Sequence, residues 1–326
     1  MLCGLAIAAA LTAPALAAGA AASEPATWPL EGWRVRTLEL PVGEGRGALA
    51  GLSREANEAS GLPAAWPRQR IAAVPGGGFV IKDPVSQSLK RYDDSGRFLG
   101  EHRHERAAAD LFGSSPFVVA GRARAILQTP RELLFFGFAT NAVEPLFEPE
   151  SRGTQLRRFR VTGNDVWAGL STRGARAGER EERLVLLDAS GKQKAVCEGV
   201  RASGFAVAPD GTLFAIAQEA PPASLIVADG ATGQPLLRRE LAGGSPQGEL
   251  LAALSWETGV VDVFASVGGT PGSAELFDVT ERKLRVRLHR IRPAPAAADV
   301  SVSSAGSFYV LGWPDERRAL VRIYER

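Results

Sequence analysis

The chain has little of what most assembled chemical centres require. Its 326 residues contain two cysteines and three histidines, and the formal net charge is only +2. If Cys3 leaves with a cleaved leader, Cys197 stands alone and no disulfide can form, so this thiol beside Val196 is expected to pack as a small hydrophobe. The histidines, one pair and one single, give no structural zinc spacing. So small a net charge gives no electrostatic footprint for nucleic acid. There is no Gly-x-Ser-x-Gly elbow, phosphate loop, dinucleotide fingerprint or zincin helix motif. Gly76-Gly77-Gly78 leads into a strand rather than a helix, so it reads as a turn and not a phosphate cradle.

Hydrophobic content of 45% supports a substantial core, and the 23% charged content is ordinary for a globular chain. Residues 1–22 read as a secretory signal peptide: Leu5–Leu11 is apolar, Pro14 and small residues follow, and cleavage fits after Ala17 or Ala22. No Lys or Arg precedes the apolar run, which is too short and Ala-rich for a membrane span. The expected organisation is a leader at 1–22, a linker at 23–32 and a single domain at 33–326. The expected location is periplasmic or secreted.

Helical periodicity is nearly absent outside residues 48–60, where Leu52–Ser60 could form a short helix. Trp33–Leu40 alternates as a strand should. From Arg70 onward a four-strand grammar repeats. Its first pass is Ile71–Val74, Phe79–Lys82, Leu89–Tyr92 and Phe98–Arg103; its second is Phe117–Ala120, Ala123–Gln128, Glu132–Phe138 and Val143–Phe147. Leu156–Val161, Asp165–Leu170, Arg183–Leu187 and Lys192–Cys197 form the third. Gly204–Ala208, Thr212–Ala217, Ser224–Ala228 and Pro235–Glu240 form the fourth. Leu250–Leu254, Val260–Ser266, Ala274–Val279 and Leu284–His289 are read in that order as the fifth. The last pass stops after three: Asp299–Val302, Ser307–Gly312 and Ala319–Tyr324.

The second-strand landmarks Phe79, Ala125, Val166, Leu213, Val261 and Phe308 lie 46, 41, 47, 48 and 47 residues apart. Such a period is that of a four-stranded blade, which predicts an all-β, six-bladed β-propeller. One strand is missing at the C-terminus and one is spare at the N-terminus. Pairing residues 33–40 into the last blade closes the ring and removes a sheet edge.

The segments Gly77–Glu101, with RYDDSGRFLGE, and Asp210–Ala217, DGTLFAIA, resemble blades of six-bladed propellers of the NHL and TolB-like kinds. That resemblance implies a fold shared by binding modules, lactonases and lyases, and no single reaction. Where many such proteins carry a Gly- and Pro-rich loop after this edge, this chain has HRHERAAADLFGSS.

Candidate site residues are sought where the loops entering the inner strands gather. His102 and His104, two apart and near Asp110, could supply a partial metal site or a general base, against a plain solvated strand edge. Arg173 and Arg176 lie in a mixed-charge hairpin that could clamp a carboxylate or phosphate, or simply be solvated. Arg70, Glu249 and Asp299 stand where inner strands begin, and Trp66 and Trp313 could offer stacking surfaces or pack between blades. Propeller lactonases hold calcium in the channel with Glu, Asn and Asp; here the strand starts supply two carboxylates, far short of an oxygen cage. No cofactor is therefore predicted. The leading expectation is a monomeric, non-membrane-spanning module that binds a protein or small molecule at one face of the ring. The alternative is a lactonase-like hydrolase or lyase at the channel mouth.

Overall fold

A computed structural model describes residues 33–50, 69–104, 111, 115–174, 180–218, 223–241, 248–266, 273–291, 299–303, 305–315 and 317–326. The leader and linker, Leu52–Ser60, Trp66, Asp110 and Arg176 lie outside them. The first strand, β1 (Arg34–Leu40), is the spare one. Blade 1 follows with β2 (Arg70–Ala73), β3 (Phe79–Asp83), β4 (Ser88–Tyr92) and β5 (Phe98–His102). Blade 2 holds β6 (Phe117–Ala120), β7 (Arg124–Gln128), β8 (Leu133–Gly137) and β9 (Val143–Phe147). Blade 3 holds β10 (Thr154–Thr162), β11 (Asp165–Arg173), β12 (Arg180–Leu187) and β13 (Gln193–Glu198). Blade 4 holds β14 (Val200–Val207), β15 (Leu213–Ala217), β16 (Ser224–Ala228) and β17 (Pro235–Glu240). Blade 5 holds β18 (Glu249–Glu257), β19 (Val260–Ser266), β20 (Ala274–Val279) and β21 (Leu284–Arg290). Blade 6 takes β22 (Asp299–Val302), β23 (Phe308–Asp315) and β24 (Arg318–Glu325), and β1 completes it, giving six sheets of four strands.

Six apolar clusters lie between successive blades, including one between blades 6 and 1 that closes the ring. Each blade is thus covered on both faces, which explains why its second strand is buried along most of its length instead of at alternate positions. β3 and β15 are buried at every position. Closure rests on an antiparallel ladder from Arg34↔Glu325 to Leu40↔Ala319. Trp33 reinforces it, with its ring 5.4 Å from Trp256, 5.4 Å from Phe308 and 6.5 Å from Phe264.

One expectation is overturned. Blade 5 runs β18-β19-β21-β20, with β21 parallel to β19 and β20 moved to the outer edge. A single 3-10 turn, Thr280–Arg282, joins the last two strands, and Lys283 follows it in left-handed conformation at φ 49°. KLRVRLHRIR is therefore mostly a third strand and not an outer one. Its inward Leu284, Val286 and Leu288 are buried between blades 4 and 5.

Candidate binding site at the channel mouth

Inner strands β2, β6, β10, β14, β18 and β22 all begin at the same end of the ring, called the mouth here. Tight turns occupy the opposite end. There Asp93, Asp188 and Asp229 each fold a third-strand turn around their own carboxylate. Asp93 Oδ1 accepts from Ser95 N at 2.9 Å, Ser95 Oγ at 2.6 Å and Arg97 N at 3.0 Å. Asp188 repeats the pattern with Ser190 and Lys192.

The mouth is built differently. In blade 1, Asp83 and Lys90 form a buried ion pair at 2.8 Å, with side chains 0% and 5% exposed. Asp83 Oδ2 also accepts Ala50 N at 2.9 Å, Lys90 donates to Ala48 O, and Gln69 Nε2 donates to Ala50 O at 3.2 Å. Tyr92 donates to Gly47 O at 2.9 Å, and burial pushes its phenol pKa up. The Asp83, Lys90 and Gln69 contacts fix Ala48 and Ala50 to the mouth end of blade 1, whereas Tyr92, at the end of β4, holds Gly47 toward the opposite end. Buried charges of this kind hold only when paired and hydrogen-bonded, so the mouth rim is rigid.

Across the channel four register shifts interrupt inner strands: between Leu156 and Arg158 in β10, Val200 and Phe205 in β14, and Leu250 and Ala252, then Leu254 and Glu257, in β18. The inner strands of blades 1, 2 and 6 pair in unbroken register. Bulges free backbone groups and re-aim side chains. Here Arg158 Nη1 donates to Ser203 O at 3.0 Å and reaches Glu249 Oε2 at 3.4 Å. Arg160 donates to Leu251 O at 3.4 Å. Both arginines leave blade 3 and reach blade 5. Bulging is matched by close approach, since a Cβ on Gly169, opposite Arg158, would lie 1.8 Å from Ala202 O of blade 4.

Of the expected residues, Arg70, Glu249 and Asp299 do begin inner strands of blades 1, 5 and 6, which are neighbours in the ring. Arg70 pairs across with Lys82, and Asp299 with Leu311. His102 and His104 do not join them. His102 ends outer strand β5, its ring 4.9 Å from Phe138 of blade 2. Burial lowers its pKa, opposed by a hydrogen bond with Asn141. His104 lies two residues past that strand, partly buried. Arg173 ends β11, exposed and opposite Arg180. Trp313, read as a stacking surface or as packing between blades, is 7% exposed, within the cluster between blades 6 and 1. Its strand runs into the seam, where inter-blade packing claims the ring.

Sequence reasoning missed Arg158 and Arg160, whose reach depends on the bulges. It also missed Asp262, buried on β19, whose Oδ1 meets His289 Nε2 at 2.6 Å and Arg287 Nη1 at 3.2 Å. Phe264 stacks on the His289 ring at 4.7 Å and 8°. The register Asp262↔Arg287 exists only because β21 runs parallel beside β19. An acid at the centre of VVDVFAS was the available signal. Among the described residues no three His, Cys, Asp or Glu side chains gather as a metal centre. None of the described helices is long and apolar enough to cross a membrane.

No known protein family matches the sequence, and no curated protein does. Solved structures do resemble it. Regucalcin from Agrobacterium tumefaciens, described as a calcium-binding protein, is 14% identical over 79% of this chain and 90% of its own, with TM-score 0.45. A streptogramin B lyase is 9% identical over 89% and 98%, with TM-score 0.44. Hydrazine synthase from Kuenenia stuttgartiensis is 13% identical over 78% and 82%, with TM-score 0.47. The chain is a six-bladed β-propeller closed by its N-terminal strand.

Proposed function

We propose that the chain is an exported propeller that binds a protein or small-molecule ligand at the mouth of its ring, acting as a monomer. The observation that carries this reading is the contrast between the two ends. One end consists of short aspartate-capped turns. The other presents the inner-strand starts, a rim held by the Asp83–Lys90 pair, and arginines that reach across blades 3 to 5. Rigid scaffolds commonly carry function on such an end. Glu249 is one of two carboxylates at the inner-strand starts, and it faces the Arg158 guanidinium. That pairing supports ligand binding over a calcium-dependent hydrolase or lyase.

A photocrosslinking residue at exposed Gln155, on the mouth end of β10, tests the face against one at exposed Gln193 on outer strand β13. Crosslinks in the producing cell are expected at position 155 alone. Equal yields at both positions, or none at 155, would discard the reading. Export is tested by N-terminal sequencing of the mature protein, which should begin at residue 18 or 23.

A further inference from the structure

We infer that the mouth between blades 3, 4 and 5 receives a carboxylate of the ligand, in the place that Glu249 occupies against Arg158. This inference rests on the mouth being the binding face. Three independent features lead to it. The inner-strand bulges are confined to these three blades, and the carbonyls they turn outward, Ser203 O and Leu251 O, steady the arginines of β10. The inner strands of blades 3 and 4 carry Arg157, Arg158, Arg160 and Arg201 and no acid, and β18 of blade 5 carries Glu249 at its start and Glu257 at its far end, so the mouth side of this wall is cationic in a chain whose net charge is +2. Finally, the Arg158–Glu249 contact is long. At 3.4 Å, with Glu249 52% exposed and Arg158 18% exposed, it falls outside the roughly 2.7–2.9 Å of a well-made charge-assisted bond.

An arginine anchored by a backbone carbonyl is oriented before the ligand arrives, so little side-chain freedom is lost on binding. A ligand carboxylate can take the place of Glu249 Oε2 on Arg158 Nη1 while the same nitrogen keeps its bond to Ser203 O. Glu249 can swing to solvent at small cost, because exposed pairs contribute little. The internal carboxylate thus holds the position until one that brings further contacts displaces it. A cation is disfavoured by the same arginines.

Isothermal titration with succinate tests this on the full mature protein. Wild type should bind weakly, with Kd on the order of 1 mM, as a single solvent-open ion pair contributes little. Glu249→Gln should tighten binding about two- to fivefold by removing the competitor. Glu198→Gln, an equal charge change on β13, should leave it unaltered. Arg158→Gln should weaken it at least tenfold, the loss expected for about one charged hydrogen bond. If Arg158→Gln fails to fold, the two glutamate variants decide alone. Equal succinate affinity in wild type, Glu249→Gln and Glu198→Gln overturns the proposal. So does binding of inorganic phosphate without succinate. Either result leaves the crosslinking at position 155 intact, so this assignment and the mouth reading fail separately.

Discussion

At the scale of single residues, the turns away from the mouth give the clearest acid–base consequence. The Ser95 hydroxyl, with the Ser95 and Arg97 amides, holds the Asp93 carboxyl down to about 2. Asp188 and Asp229 are lowered by similar turns, Asp188 chiefly by the Ser190 hydroxyl, Asp229 by amides and hydroxyl of its own turn against the opposing effect of burial. A depressed folded value contributes stability that is complete above the unfolded value of about 3.9 and is lost as pH falls through about 2. Urea unfolding from pH 5 to pH 2 should therefore show a stability slope that Asp93→Asn flattens. A second residue prediction concerns Cys197. Buried between blades 3 and 4, its thiol is pushed up to about 11 by desolvation. At pH 8 the native protein should leave this thiol unmodified by a thiol-reactive disulfide reagent, and modification should follow unfolding. Immediate labelling of the native state would show the site to be open.

At the scale of elements, Gly169 tests how tightly blades 3 and 4 are pressed together. Its backbone is not in the left-handed region, so alanine adds no strain of that kind, but the new Cβ collides with the Ala202 carbonyl. Gly169→Ala should cost about 1–3 kcal/mol in chemical unfolding, the usual range for overpacking. It should also weaken succinate binding, because the displaced β14 carries the Ser203 carbonyl that steadies Arg158. The same scale shows what the sequence made legible. Leu213–Ala217 and the Phe79–Ile81 part of β3 announced themselves because a strand buried on both faces is apolar except where a buried charge is paired, as Asp83 is with Lys90. The turns did so through Asp and Gly at fixed offsets, as in Asp210-Gly211, where Asp210 Oδ1 accepts Thr212 N at 2.9 Å. Arg70, Glu249 and Asp299 followed from the strand starts. Arg158 and Arg160 did not, since bulges in β10, β14 and β18 are products of inter-blade fit and leave no local pattern. The Asp262–His289 pair was hidden for another reason: hairpin grammar assumes that successive strands are neighbours, and β20 is not the neighbour of β19.

At the scale of the whole molecule, ring closure determines whether blade 6 leaves a bare sheet edge. The seam is held by the β1–β24 ladder, by Tyr309 donating to Asp94 Oδ1 at 2.9 Å, by Arg36 donating to Asp94 O, and by Trp33 among three aromatic rings. Trp33→Ala removes a half-buried ring and should cost about 2–3 kcal/mol in urea unfolding, below the cost of a fully buried one. Truncation through residue 40 is a harsher test. It leaves β24, eight residues long, as an unpaired edge. Size-exclusion chromatography should then show species larger than that of the full mature chain, as bare edges invite pairing between chains.

The strand exchange in blade 5 also bears on the order in which the chain acquires its structure. In blades 1 to 4 successive strands pair in sequence, so each can be added as a hairpin to the one before, while blade 6 takes its fourth strand from β1. In blade 5, β19 has no outer partner until β20 and β21 have joined through the Thr280–Arg282 turn and docked as a unit. Local pairing precedes non-local pairing because loop closure costs entropy before any contact repays it. Pulse-labelled hydrogen exchange during refolding should find the amides of the β20–β21 hairpin protected first, and those of the β19–β21 ladder afterwards. Blade 5 then sets after the blades whose strands pair in order, and the Glu249 side of the mouth is completed with it, before the β1–β24 ladder closes the ring.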